Sequence, residues 1–186
     1  MKILSTFLVF LFAANPHAVA AQDVGNRYQV LGAIEGELDG SPHRYLALLD
    51  TEKDRSFLSV NRLAGQPSFG IITREFTAEG KLGRSMMVVT VEPPEIGANS
   101  FHVTRVRLVD GEGLKRPLRA LADLGQTRIS DFQLGEDGQL AFAFEADFQR
   151  YAGSAGKWEL QDSEPGAHFV GTFAGQIPEG ERDNLK

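Results

Sequence analysis

The stretch that most restricts what this chain can become is residues 139–177. It opens QLAFAFEADF, which puts Leu140, Phe142, Phe144, Ala146 and Phe148 on one side of an extended chain. Ala141, Ala143, Glu145, Asp147 and Gln149 fall on the other. Near its end, HFVGTFAGQI spaces Phe169, Phe173 and Ile177 for one face, with glycines between them. Two phenylalanine-rich strands this close in sequence can pair and supply much of a β-protein's core. The pattern argues for an architecture and carries no chemistry of its own.

The first residues read as a leader. Lys2 precedes an apolar run over 3–14, Asn15-Pro16 breaks it, and Ala18-Val19-Ala20 offers the small side chains a signal peptidase accepts. The run falls short of the roughly 20 apolar residues a membrane helix needs. The expectation is a signal peptide over residues 1–21, cleaved after Ala20 or Ala21, with no membrane span in the mature chain. The mature protein is then periplasmic or secreted, in a bacterial style. Loss of Lys2 leaves 18 of the 19 basic side chains against 25 acidic ones, a balance of −7. Nucleic acid is an unfavourable partner for such a surface, because phosphate binding needs clustered positive charge. The chain has no cysteine, which removes disulfides, thiolate metal sites and cysteine nucleophiles together.

Along the mature chain, residues 28–38 alternate apart from an apolar Leu31, and Asp39-Gly40 signals a turn. Further strands are expected at 44–49, 56–63, 68–76, 85–92 and 101–109, the last with Arg105 and Arg107 on one face. PLRALADLG (117–125) suggests a short helix, with Pro117 in its first turn and Gly125 at its stop; a β-edge is the alternative. Strands at 127–134 and 139–150 form a hairpin, followed by strands at 157–161 and 167–177. Roughly nine or ten short strands with regular turns predict an all-β fold. The expected architecture is an antiparallel β-sandwich, or alternatively a small β-barrel, with one short helix. A single domain should span 22–178, followed by a charged, frayed tail over 179–186. Polar outward faces carrying Glu35, Glu37, Arg105, Arg107, Glu145 and Asp147 argue against an outer-membrane barrel.

Few residues suggest chemistry. Ser154 lies in Ala-Gly-Ser-Ala-Gly and three residues before Lys157, but a nucleophile elbow or a Ser-x-x-Lys site needs a helix after or around it. A glycine-rich link between strands is the better reading. Past the leader the histidines are His43, His102 and His168, without the close spacing of a metal motif. His43 reads as a solvated turn residue, and His168 as opposite in face to Phe169. The pairs Glu35 with Glu37 and Glu145 with Asp147 each share a strand face, which could serve a glycosidase or calcium but more simply solvates an acidic sheet. Asp110 and Glu112 lack the other ligands of a calcium loop. Trp158, grouped by alternation with Leu160, reads as a core residue. Glu145, Asp147 and His168 are the candidate ligand-binding residues; no catalytic, metal or cofactor set is assigned.

The leading expectation is an exported, non-enzymatic β-domain that binds another envelope component, such as an envelope protein, or contributes to an assembly. A carrier holding a small apolar ligand among Phe142, Phe144, Phe148, Phe169 and Phe173 is the second. The third is a hydrolase, which requires two of His43, His102, His168, Glu145 and Asp147 in hydrogen-bond reach within one cleft.

Overall fold

The computed structural model describes residues 24–93, 101–154 and 157–186. The expected signal peptide, residues 1–21, lies outside them. The described chain is antiparallel β-sheet almost throughout. Its strands are β1 (Tyr28–Leu38), β2 (Ser41–Asp50), β3 (Arg55–Ser56), β4 (Leu58–Leu63), β5 (Gln66–Phe76) and β6 (Leu82–Glu92). They continue with β7 (His102–Val109), β8 (Leu118–Leu121), β9 (Thr127–Leu134), β10 (Gln139–Ser154), β11 (Lys157–Leu160) and β12 (Ala167–Gln176). Hydrogen-bonded pairing runs β1–β2–β5–β6–β7–β8–β10–β12 and returns to β1, so the sheet curls back on itself as a barrel-like wall. Of the two all-β architectures expected, this is the barrel-like one.

The long strand β10 explains how the wall turns. Its first half pairs with β12 on one edge and β9 on the other, and its far end takes β8 and β11. The alternation read from the sequence sets its faces: Leu140, Phe142, Phe144, Ala146 and Phe148 are buried, while Asp147 and Gln149 are exposed. The inward rings meet one another, with Phe142 and Phe173 centroids 5.4 Å apart and Phe144 and Phe169 5.2 Å apart. Four of the five phenylalanines that a carrier would have lining a ligand cavity, Phe142, Phe144, Phe169 and Phe173, are thus packed against each other. Each fully buried ring contributes about 2–3 kcal/mol by leaving water, which favours filling the interior with side chains. Apolar inside and polar outside is also the reverse of a lipid-facing barrel.

Between β1 and β12 the wall is thinned by glycine. Gly36 faces Gly171 across the ladder, beside the inward pair Ile34 and Phe173. The Phe169 ring lies over both glycines: a Cβ on either would stand 2.7 Å from its Cζ. Leu31, the residue that broke the alternation, sits at a register shift between Val30 and Gly32 and reaches the main core. A bulge inserts one residue and re-aims those around it.

Two local expectations change. The segment expected to be helical is mostly strand β8, with a single 3-10 turn at Ala122–Leu124 ending at Gly125 (φ 68°). Leu118 and Ala120 fit helical and alternating spacing equally well, and the free edge of β7 decides for the strand. The tail is not frayed. Glu179–Leu185 winds into 3-10 turns, where Glu181 Oε2 accepts from the Val60 N–H at 2.9 Å and Asn184 Nδ2 donates to the Val60 carbonyl at 2.9 Å. The Glu181 carboxylate and the Asn184 amide of the tail thus cover the open edge of β4 at Val60.

Candidate functional site

The acidic strand faces expected from the sequence exist, and cross-strand register gives Glu35 and Glu145 an arginine each, while Glu37 faces Pro42 and Val170. Glu35 faces Arg44 with Oε1 to Nε 2.8 Å, and Glu145 faces Arg128 with Oε2 to Nη1 2.8 Å. Asp147 faces His168, with Oδ1 to Nδ1 2.7 Å. The two carboxylate–arginine pairs place opposite charges directly across an antiparallel ladder, which is the ordinary way to hold a sheet face, and Asp147 and His168 share a hydrogen bond. The candidates Glu145, Asp147 and His168 thus come together on one outer face of β10 and β12. His168 and Asp147 are about half exposed (50% and 53%) on that face, so the pair meets the distance a hydrolase needs but lies outside the cleft described below.

The other histidines are elsewhere. His43 belongs to β2 rather than to a turn; its ring stacks 6.0 Å from Tyr45, and its Nδ1 is 3.6 Å from Glu75. His102 opens β7. Among the described residues, no group of three or more histidine, aspartate or glutamate side chains is placed to hold a metal ion. Ser154 ends β10 and faces Lys157 across the β10–β11 ladder, in extended structure without the helix its motifs require.

A different face breaks the charge rule. Arg107 of β7 lies directly across from Arg119 of β8, and Arg105 is two ladder pairs further on, across from Leu121. Like charges placed directly opposite are destabilising. None of the three makes an ion pair with a carboxylate among the described residues, in a chain with an acidic excess. The Arg107 Nε is shielded from solvent and has no hydrogen-bond partner among the described residues. A register shift in β7 at Thr104, opposite Thr90 and Val91, turns His102, Thr104, Arg105 and Arg107 all outward while Val103 and Val106 stay inside.

Aromatic rings hold Arg119. Its Cζ is 5.0 Å from the centre of the Tyr151 ring and 5.2 Å from that of Trp158, so a cation–π clamp replaces the missing carboxylate. Burial first, and then the positive charges of Arg105 and Arg107, push the Arg119 guanidinium below its ordinary pKa. Trp158 is therefore not a core residue. β11 pairs only with β10, outside the closed circuit, so it has no interior to face; Trp158 is half-buried over Arg119, and Leu160 is exposed.

Arg105, Arg119 and Trp158 line a cleft of about 680 Å³, bounded also by Glu92, His102, Thr104, Leu121, Ala122 and Asp123; Arg107 and Tyr151 stand behind Arg119 rather than in the cleft wall. Two sources build it: the β7 bulge, and the 3-10 turn after β8 that supplies Ala122 and Asp123. The sequence placed Arg105 and Arg107 on one face. It held no signal for Arg119, which arrives through the β7–β8 register, or for Trp158, which arrives through the β10–β11 hairpin. No known protein family, curated protein or solved structure matches the chain.

Proposed function

We propose that the protein is an exported, non-enzymatic binding domain that engages an anionic component of the cell envelope through the cleft between β7, β8 and β11. One observation carries the reading: Arg105 and Arg119 line this cleft without a carboxylate ion pair, and Arg107 stands directly opposite Arg119, whereas Glu35 and Glu145 each meet an arginine across the ladder. A like-charge pair costs stability, and an anion bound from outside is the partner that turns it into a favourable arrangement. Arg119 is also fixed in place by two rings before any ligand arrives, which reduces the ordering cost of binding.

The test separates stability from binding. Arg107→Glu converts the like-charge pair into an opposite-charge one. The variant should gain about 0.2–1 kcal/mol in urea unfolding and lose the ability to bind short polyanions. Titration of oligoglutamate and oligogalacturonate into the 15N-labelled wild type should move the amides of β7 and β8 and the Trp158 indole N–H. If neither polyanion moves them, the proposal fails.

A further inference from the structure

We infer that the ligand of this cleft is an acidic saccharide, a chain of sugar rings bearing carboxylate groups; this rests on the reading of the cleft as an anion-binding site. A site for charge alone would be lined by cations alone. Here Arg105, Arg119 and His102 share the cleft with Glu92 and Asp123, and neither carboxylate lies within ion-pair distance of the arginines. A bound anion must therefore also present hydrogen-bond donors to two carboxylates a short distance from its own negative group. Sugar acids do this within one ring, because the same ring carries a carboxylate and free hydroxyls that donate, where phosphodiester and sulfate oxygens only accept. The Thr104 hydroxyl can both donate and accept, as hydroxyl-rich ligands require.

The remaining wall is Trp158. A half-buried indole on a cleft edge gives the C–H face of a sugar ring an apolar surface to pack on. The cleft's volume of about 680 Å³ falls in the range of small-molecule sites, which runs from roughly 300 to 1,000 Å³. Nucleic acid fits the same cations poorly, because Glu92 and Asp123 meet its phosphate backbone with like charge. An acidic peptide is the nearest rival, since its amide N–H groups also donate. It offers one donor per residue along an extended backbone rather than several on the ring that bears the charged group.

The experiment is calorimetry on the mature chain with three probes: tetragalacturonate, the uncharged maltotetraose, and tetraglutamate. Tetragalacturonate should bind, change Trp158 fluorescence, and bind about tenfold more tightly than tetraglutamate. Maltotetraose should bind far more weakly, because it lacks the group the arginines take. Arg105→Gln removes an exposed side chain that makes no ion pair, so the fold should survive; it should weaken tetragalacturonate by about tenfold. Trp158→Ala should weaken it similarly. If that variant does not fold, the wild-type fluorescence change and Arg105→Gln decide. Tetraglutamate binding as tightly as tetragalacturonate would overturn the saccharide inference and leave the anion-binding proposal standing. Failure of both acidic probes, or equal binding of maltotetraose, would overturn both.

Discussion

Replacing Gly36 by alanine tests the logic of the barrel wall most directly. Gly36 sits outside the left-handed region, so the substitution raises only a question of space. The new Cβ would lie 2.6 Å from Gly171 Cα and 2.7 Å from Phe169 Cζ, with the Val170 carbonyl oxygen closer still. The ring can rotate away, but the backbone of β12 is fixed by its ladders to β1 and β10 and cannot. Overpacking of this kind costs about 1–3 kcal/mol. Against it stands a gain of roughly 0.4–1 kcal/mol, because alanine restricts the unfolded chain more than glycine. The expected net loss is about 1–2 kcal/mol, worth about 2–4 °C in Tm per kcal/mol for a chain of this size. Gly111 is the matched control: it also lies outside the left-handed region, and a Cβ there meets nothing within 4 Å. Gly111→Ala should be neutral or slightly stabilising. Both variants would be unfolded in urea and followed by circular dichroism. If Gly36→Ala is as stable as Gly111→Ala, the close contact between the glycine seam and Phe169 does not hold the wall.

Two further outcomes follow from polar contacts. The Arg27 guanidinium donates to both oxygens of Asp50 and holds its carboxyl below the usual range; at Asp110 burial raises the pKa, and hydrogen bonds from Arg150 and the Glu112 N–H more than offset it. Folded values below the unfolded value of about 3.9 mean stability that is present above that pH and lost as pH falls through the folded values. Urea midpoints measured from neutral to strongly acid pH should drop in that window, and Asp50→Asn should flatten the drop; an unchanged slope would remove Arg27–Asp50 from the account. Glu181→Ala should cost about 1–3 kcal/mol by leaving the buried Val60 N–H without an acceptor, and should speed hydrogen exchange at that amide. Unaltered exchange at Val60 would mean the tail does not cap β4.

How much of the fold could be read in advance depended on whether a segment's pattern belonged to itself or to its neighbour. β10 carries its own instruction, because alternation fixes which side each phenylalanine takes whatever it pairs with. Leu31 carried a partial one: an apolar residue out of step is what a bulge looks like before the partner strand is known. Residues 117–125 carried two compatible instructions, and the edge of β7 chose between them. The closure of the wall had no local trace, since β2 meets β5 through Tyr45–Ala47 against Thr73–Glu75, a contact set by the curvature of the whole sheet.

The same distinction explains the site. Glu145 and Asp147 stood out in the sequence because residues two apart share a face, but Glu145 is paired with Arg128 and Asp147 is hydrogen-bonded to His168, each facing it from another strand. Arg105 and Arg107 stood out for the same reason, and facing them the ladder supplies Leu121 and a third arginine rather than an acid. Both faces look alike within one strand; what separates a neutralised face from a receptive one is the residue across the ladder. For β7 that residue is Arg119, held by Tyr151 and Trp158 from a third and a fourth strand. A cation kept in place by rings rather than by a carboxylate keeps its charge available to a ligand. That is why the reading of function rests on this face and not on the acidic one.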